Sequence, residues 1–239
     1  LGYTCYPSIA AVPGDLDLAV MVVPAAKVLD SVRECGEKGV KNVVVISAGF
    51  KEIGEEGQEL ERQLVEICNE FDISVLGPNC VGVMDTNTPI NASFAAAVPM
   101  KGDVAFISQS GATLLAALDW SSTVGLGYSQ VVSIGNKANT NEIDYIEEAA
   151  NDPGTKVIMC YLEDITDGPR FLKVAGEAAK KKPVIVYKAG VSQAGAKAAS
   201  SHTGALAGSD LAYETAFKQA GIIRAHSMTE LFELAIAFT

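Results

Sequence analysis

The sequence has 239 residues, of which 49% are hydrophobic and 7% aromatic, which is typical of one large globular α/β domain or two smaller ones. The net charge of −11 argues against nucleic acid or an anionic membrane surface as a partner, and no apolar run is long enough to span a membrane. With five cysteines, none in CxxC spacing, and two histidines, we expect no metal site and interpret the thiols as free in a reducing cytoplasm.

The first part of the chain alternates short β-branched runs with amphipathic stretches, which is the pattern of parallel βα units. We expect strands at Leu18–Val23, Asn42–Ile46 and Ser74–Leu76, with helices at Ala26–Lys38 and Gln58–Glu70 between them. These strands are fewer than a complete doubly wound domain needs. Because the sequence also begins with Leu, we expect a fragment whose first domain is incomplete at its N-terminus.

Residues 83–102 interrupt this alternation. They contain Asn, Thr, Pro and three adjacent Ala residues, and we interpret them as a linker or an irregular hairpin. We place the domain boundary at Pro99–Asp103. Residues 1–99 then form the first domain and residues 100–239 the second.

The second part of the chain contains five βα units, enough for a doubly wound parallel sheet on its own. Its strands and helices alternate strictly in the sequence. In chain order they are predicted at Val104–Ile107, Ala112–Ser121, Tyr128–Ser133, Glu142–Asn151, Val157–Leu162, Gly168–Lys180, Val184–Tyr187, Ser209–Ala220, Ile222–Arg224 and Thr229–Phe238.

Two residues that follow strands of the second part are candidates for nucleophilic chemistry, since ligands of open α/β sheets bind at the carboxyl ends of the strands. His202 lies in a long stretch of small residues, where it is either a nucleophile or an idle surface histidine. Glu163 follows the strand that ends at Leu162. It either orients the imidazole of His202 or belongs to a solvated acidic loop with Asp164.

The turn Ser108–Gly111 follows the first strand of the second part and leads into a helix. A helix N-terminus presents unpaired backbone N–H groups and a favourable dipole to an anion. The two serine hydroxyls add further hydrogen-bond donors. The alternative interpretation is an ordinary N-cap, since serine is a favoured cap residue.

The turn Gly77–Gly82 follows the third strand of the first part. Asn79 offers both a donor and an acceptor to a ligand. We interpret Cys80 as a structural thiol, because the sequence places no histidine or cation beside it. The small-residue loops Pro24–Ala25 and Ser47–Phe50 follow the first two strands, where a nucleotide could lie against the backbone.

Seven short stretches together carry a family resemblance. They are Val22–Ala25, Ser47–Phe50, Gly77–Gly82, Ser108–Ala112, Ile134–Ala138, Tyr161–Glu163 and Ser201–Gly204. In this order and spacing the chain resembles, from end to end, the α-subunit of the nucleoside-diphosphate-forming acyl-CoA synthetases. The forms Asn136-Lys137 and Ser201–Gly204 are more similar to the ADP-forming acetate–CoA ligase branch than to the succinyl-CoA synthetase branch.

The resemblance implies two α/β domains with doubly wound parallel sheets. The first would be a Rossmann-like CoA-binding domain without the Gly-rich loop that opens it, and the second a flavodoxin-like domain. By the same resemblance His202 would be the phosphorylated histidine and Glu163 the carboxylate that orients it. Ser108, Ser110 and Gly111 would hold the phosphate.

The resemblance also implies ligand contacts in the first domain. The residues that match the CoA site are Val23, Pro24, Ser47, Ala48 and Phe50. Within the matching stretches we further expect Pro78, Asn79 and Asn136 to contact the acyl-CoA or carboxylate substrate.

The implied reaction converts acyl-CoA, phosphate and ADP into a carboxylate, CoA and ATP, through an acyl phosphate and phosphorylated His202. ATP or ADP and Mg²⁺ would be bound by an ATP-grasp partner, either a separate β-subunit or a fused region. We expect a cytoplasmic oligomer that binds neither nucleic acid nor membrane.

Two alternatives use the same residues. Ser110, Glu163 and His202 occur in the order of an α/β-hydrolase triad, but the serine lacks glycine on both sides. The second alternative is a non-catalytic CoA-sensing module of the same family. Such a module would have no need of His202.

Overall fold

The computed structural model describes residues 2–190 and 210–239, which form two compact units. Of these described residues, unit 1 contains 2–82 and Gly135–Thr140, and unit 2 contains Val83–Ile134, 141–190 and 210–239. The elements of unit 1 are β1 (Ala19–Met21), α1 (Ala25–Lys38), β2 (Asn42–Val45), a 3₁₀ turn (Lys51–Ile53), α2 (Glu55–Phe71) and β3 (Ser74–Leu76).

Unit 1 is built on a parallel sheet in the order β1-β2-β3. Val43 and Val45 of the central strand are buried, and α1 packs its apolar stripe of Val28 and Val32 into the same core. The helix ends at Gly39, whose φ of 89° provides the left-handed cap that glycine adopts without strain.

Unit 2 begins with two short strands and continues with five βα pairs. Its elements are β4 (Gly82–Asp85), β5 (Ile90–Ser93), β6 (Lys101–Ser108), α3 (Gly111–Val124), β7 (Tyr128–Ser133), α4 (Glu142–Asn151), β8 (Val157–Leu162), α5 (Gly168–Ala179), β9 (Val184–Lys188), α6 (Asp210–Ala220), β10 (Ile223–Ala225) and α7 (Met228–Phe238).

The sheet of unit 2 has the order β10-β9-β8-β6-β7-β4-β5. The five parallel strands, counted along the chain from β6, therefore lie in the order 2-1-3-4-5, which is the flavodoxin-like arrangement. Helices form two layers: Trp120 of α3 contacts Phe232 of α7, and Phe171 of α5 contacts Phe217 of α6. The predicted doubly wound second domain is confirmed.

Of the two interpretations of residues 83–102, a linker or an irregular hairpin, the structure supports the hairpin, because β4 and β5 are neighbours in the sheet. This segment contains β4 and β5, and β4 pairs antiparallel with β7, with Val83 opposite Val132. The change of compact unit along the chain lies at Gly82–Val83, and the domain boundary at Pro99–Asp103 stays a prediction. Gly135–Thr140 belongs to unit 1.

None of the helices within residues 2–190 and 210–239 is long and apolar enough to cross a membrane.

Candidate functional site

The carboxyl ends of β6 and β8 lie side by side in unit 2, at the point where the order of the parallel strands reverses. Ser108 is the register partner of Tyr161, and the backbone N–H of Gln109 donates to the carbonyl oxygen of Tyr161 at 2.9 Å. The turn Ser108–Gly111 and the acidic pair after Leu162 are thereby neighbours. Such a switch point is where open α/β sheets bind their ligands.

The serines of this turn shape the start of α3. The Oγ of Ser110 accepts the backbone N–H of Thr113 at 3.2 Å, so Ser110 is the N-cap, and Gly111 is the first helical residue. Ser108 is completely buried, and its hydroxyl donates to the carbonyl of Ser110 at 2.8 Å. The cap interpretation is confirmed. The anion interpretation stays a prediction that rests on the helix N-terminus and not on the Ser108 hydroxyl.

Glu163 is held by its main chain. Its backbone N–H donates to Oε1 of Gln109 at 2.9 Å, and its carbonyl oxygen accepts from Nζ of Lys188 at 2.6 Å. The same Oε1 accepts the N–H of Asp164 at 3.1 Å, while Nε2 of Gln109 donates to the Asp164 carboxylate. The loop after β8 is therefore fixed by two side chains that come from the ends of β6 and β9.

Lys188 is the last residue of β9, opposite Leu162 of β8. Only 5% of Lys188 is exposed, and its ammonium also donates to the carbonyl of Ala189 at 2.7 Å and lies 4.9 Å from the centre of the Tyr213 ring. These contacts compensate part of the cost of burying a cation.

His202 lies outside the described residues. β9, which precedes it in the chain, ends beside the loop that carries Glu163, because β8 and β9 are adjacent parallel strands. The pairing of Glu163 with His202 stays a prediction.

The predicted CoA contacts in unit 1 follow β1 and β2, which are adjacent parallel strands. Val23, Pro24 and Ala48 are exposed there, and the hydroxyl of Ser47 donates to the carbonyl of Val23 at 2.5 Å. Phe50 differs, because its ring is completely buried in the core. Four of the five residues thus lie at one edge of the sheet. The fifth, Phe50, packs in the core below the loop that follows β2.

The three predicted substrate contacts also come together in unit 1. Asn79 donates its backbone N–H to the carbonyl of Ser47 at 3.0 Å, and Asn136 donates its own to the carbonyl of Pro78 at 2.8 Å. The side-chain amide of Asn79 donates to Oδ1 of Asn136 at 3.3 Å. Pro78, Asn79 and Asn136 are therefore neighbours, although 57 positions separate the two asparagines.

The side chain of Asn136 is engaged by two carboxylates. Its Nδ2 donates to Oε2 of Glu52 at 2.6 Å and to Oε2 of Glu61 at 2.8 Å. The backbone carbonyl oxygen of Asn136 accepts from Nζ of Lys51. Lys51 in turn pairs with Oε1 of Glu61 at 3.1 Å. We call Lys51, Glu52, Glu61 and Asn136 the carboxylate–amide cluster.

The cluster favours the ionised form of Glu52. Partial burial by itself raises the pKa of this carboxyl group, but hydrogen bonds from Asn136 and from the backbone N–H groups of Gly49 and Phe50 outweigh it and hold the pKa below the ordinary value. The cluster consequently carries negative charge beside Asn136 at neutral pH.

Sequence reasoning missed Gln109 and Lys188 in unit 2 and the acidic residues of the cluster in unit 1. Two of them carry a signal. Glu61 stands three residues before Leu64, on the apolar stripe of α2, and is 7% exposed. Lys188 directly continues an apolar strand. A charged residue at a position that the pattern assigns to the core is a reason to look for a partner.

Cys80 has the structural role that the sequence predicts. Burial raises the pKa of its thiol to about 12, so the thiol is protonated at neutral pH, and it donates to the carbonyl of Val45 at 3.3 Å.

Two family models match the chain. The model of a CoA binding domain matches residues 1–86, and the model of a succinyl-CoA ligase like flavodoxin domain matches residues 101–238. The two domains occur in the order that the sequence resemblance implied.

Curated relatives are similar to the chain over nearly all of its length. It is 53% identical over 236 residues to acetate–CoA ligase (ADP-forming) I of Archaeoglobus fulgidus, a match that covers 99% of the chain and 34% of the relative. It is 47% identical over 237 residues to the α subunit of acetate–CoA ligase (ADP-forming) I of Pyrococcus furiosus, covering 99% and 51%.

A solved structure is similar as well. The dinucleotide forming acetyl-coenzyme A synthetase 1 of Candidatus Korarchaeum cryptofilum, in complex with phosphate and ADP, matches with a TM-score of 0.96 and 44% identity over 100% of the chain and 51% of its own. The chain therefore spans about a third to about a half of the length of the proteins it matches.

Proposed function

Because this chain belongs to the family of nucleoside-diphosphate-forming acyl-CoA synthetases, we propose that it is the part of such a ligase that binds CoA and carries the phosphorylated histidine. The reaction is acyl-CoA, phosphate and ADP to carboxylate, CoA and ATP. The likeness to acetate–CoA ligases favours a small carboxylate as the acyl group.

The reaction proceeds in three displacements. A phosphate oxygen attacks the thioester carbonyl, the C–S bond breaks, and CoA leaves as its thiol with a proton from the phosphate. Nε2 of His202 then attacks the phosphorus of the acyl phosphate, and the carboxylate leaves. Finally, a terminal phosphate oxygen of ADP attacks the phosphohistidine, which forms ATP and returns the free imidazole.

The arrangement at the end of β8 carries this proposal. Glu163 stands at the switch point of the sheet, beside the N-terminus of α3 and next to the strand that leads to His202. A carboxylate that accepts the Nδ1 proton of an imidazole leaves Nε2 free to attack. The dipole of α3 favours a phosphoryl group at its N-terminus.

Unit 1 supplies the acyl-CoA end of the reaction in this proposal. The exposed residues Val23, Pro24 and Ala48 offer an edge at which CoA can lie against the backbone. Asn79 is the substrate contact of choice, because the amide hydrogens of Asn136 are donated to Glu52 and Glu61. Asn136 then acts by holding Asn79.

The nucleotide belongs to a partner in this proposal. Relatives twice to three times as long as this chain leave room for an ATP-grasp region, fused or separate, in an oligomeric assembly. Mg²⁺ would accompany the nucleotide in that region, as the family resemblance implies. The five free cysteines fit a cytoplasmic location.

Phosphorylation of the full-length enzyme with its nucleotide-binding partner tests the proposal. Incubation with [γ-³²P]ATP should label the protein with an acid-labile, base-stable phosphate that ADP removes. His202→Ala should abolish the label. His226→Ala, which changes the other histidine of the chain, is the matched control and should leave the label intact.

Equal labelling of His202→Ala and the unsubstituted enzyme would exclude the phosphohistidine mechanism. A protein that binds CoA tightly but incorporates no phosphate would instead be the CoA-sensing module.

A further inference from the structure

The backbone N–H and the backbone carbonyl of Glu163 both form hydrogen bonds with side chains. In a regular strand these two groups would pair with the backbone of neighbouring strands. Up to Leu162, β8 follows the normal ladder, and the carbonyl of Leu162 accepts the N–H of Ala189 at 2.8 Å. At the next residue the N–H is taken by Oε1 of Gln109 at 2.9 Å and the carbonyl by Nζ of Lys188 at 2.6 Å. The side chains of Gln109 and Lys188 therefore fix the backbone position of Glu163 at the end of β8.

The orientation of the Gln109 amide is set by its partners. Oε1 accepts two backbone N–H groups, those of Glu163 and Asp164, and Nε2 donates to the Asp164 carboxylate. A flipped amide would place a donor against two donors and an acceptor against a carboxylate. Gln109 can therefore hold the loop in one arrangement only.

Lys188 occupies a position at which the fold alone favours an apolar residue. It ends a strand whose first three residues Val184, Ile185 and Val186 are completely buried, and it is 5% exposed itself. Burying an ammonium carries a desolvation cost that an apolar side chain would avoid. Besides its contacts with the carbonyl of Ala189 and the ring of Tyr213, the ammonium donates to the carbonyl of Glu163, which an apolar side chain cannot do.

We propose that Gln109 and Lys188 are positioning residues that place the Glu163 carboxylate for phosphoryl transfer. This inference rests on the proposed function, in which Glu163 orients His202. Neither residue touches the reacting atoms in this account. Each acts on the main chain of Glu163, from opposite ends of one peptide segment.

The test uses the full-length enzyme with its partner and follows single-turnover transfer of phosphate from [γ-³²P]ATP to the protein. Gln109→Met and Lys188→Met keep the length of the side chain and remove its polar group. Each should slow phosphorylation by about 10- to 100-fold, the range expected when a catalytic group is misplaced by about 1 Å. The dissociation constant for CoA should not change, because CoA binds in unit 1.

Lys182→Met is the matched control. Lys182 also donates its ammonium to two backbone carbonyls of unit 2, those of Ala149 at 2.8 Å and of Asp152, but it stands at the opposite end of the β9 segment. Its loss should leave the phosphorylation rate within about 2-fold of the unsubstituted enzyme. Lys188→Arg, which retains donors, should recover part of the rate lost in Lys188→Met.

A double-mutant cycle separates positioning from a general structural role. In a Glu163→Gln enzyme the additional effect of Lys188→Met or Gln109→Met should shrink to less than about 3-fold, because the group that they position has already been disabled. Losses that multiply fully with Glu163→Gln would overturn the inference. So would normal phosphorylation rates in both methionine variants.

Two further outcomes are distinguishable. If Glu163→Gln phosphorylates at the normal rate, the proposed role of Glu163 fails, and the positioning role fails with it. If Lys188→Met does not fold, Gln109→Glu tests the inference instead. This variant retains an acceptor for the two N–H groups but removes the donor to Asp164. It should slow phosphorylation and leave CoA binding unchanged. A normal rate in that variant would contradict the inference.

Discussion

Asn136 donates a hydrogen bond to the carboxylate of Glu61 at 2.8 Å, although 75 positions of sequence separate the two residues. Both residues are 7% exposed. Neither side chain can therefore replace this hydrogen bond by one to bulk water unless unit 1 opens. Glu52 accepts from the same Nδ2 at 2.6 Å. The carboxylate–amide cluster therefore joins Gly135–Thr140 to the remainder of unit 1.

Asn136→Ala should destabilise unit 1. The substitution removes the donor that both carboxylates share, and an unsatisfied buried polar group typically costs about 1–3 kcal/mol. Chemical denaturation followed by a probe in unit 1 measures the change. The control is Asn151→Ala, whose exposed amide donates to the carbonyl of Glu147 at 2.9 Å and should cost less than about 0.5 kcal/mol. Equal effects of the two substitutions would contradict the role of the cluster.

Glu52 should make the stability of unit 1 depend on pH. Its pKa in the folded state lies below the ordinary value of 4.5, so the unfolded state binds its proton first as the pH falls. The stabilisation is complete at neutral pH and is lost as the pH drops below the ordinary carboxyl pKa toward the folded one.

Glu52→Gln should consequently flatten the acid limb of the stability curve. The variant should be less stable than the unsubstituted protein at pH 7, and the difference should shrink toward pH 3. Urea midpoints at both pH values measure it. Glu37→Gln, which removes an exposed carboxylate of α1, is the control. A constant difference between pH 7 and pH 3 for Glu52→Gln would refute the argument.

Gly135 should resist substitution more strongly than Gly39, although both have a positive φ. Its φ is 54°, and a Cβ there would lie 2.3 Å from the carbonyl oxygen of Pro78. Gly39 has a φ of 89° with no atom near the Cβ position. Gly39→Ala should therefore lower the free energy of unfolding only by the left-handed backbone strain of about 1–2 kcal/mol. Gly135→Ala should lower it further, because its Cβ would also clash with the carbonyl oxygen of Pro78. Denaturation midpoints that rank the two variants in reverse would contradict this.

Alkylation should separate one cysteine from the other four. Burial raises the pKa of Cys35 to about 11 and those of Cys68 and Cys80 to about 12, and it raises the pKa of the fully buried Cys160 as well. Cys5 is exposed. Because the thiolate is the reactive form, native protein treated with iodoacetamide at pH 8 should be labelled at Cys5 and elsewhere only after denaturation. Site-resolved mass spectrometry measures this, and rapid labelling of native Cys80 would overturn its structural role.

Much of the local structure follows from the order of residues. The segments Ser74–Leu76, Tyr128–Ser133, Glu142–Asn151 and Val157–Leu162 form with the predicted bounds, because buried apolar runs flanked by turn residues can be recognised without their neighbours. The succession of parallel βα units in the second part has the same origin. It also places Glu163 and Ser108–Gly111 at the carboxyl ends of strands before any contact between them is known.

Which strand ends meet is decided by the tertiary structure alone. The sequence indicated a linker or a hairpin at residues 83–102, but only the structure shows that β4 pairs with β7. Gly135–Thr140 belongs to unit 1, with hydrogen bonds to the segment 77–79. Asn136 meets Glu52 and Glu61 because the segment 135–140 is hydrogen-bonded to residues 77–79 of unit 1. Gln109 meets Glu163 because β6 and β8 are adjacent parallel strands. Hydrophobic periodicity shows which face of an element points toward the core. A polar contact between residues 50 to 85 positions apart depends instead on the pairing and register of the strands between them, which the periodicity does not show.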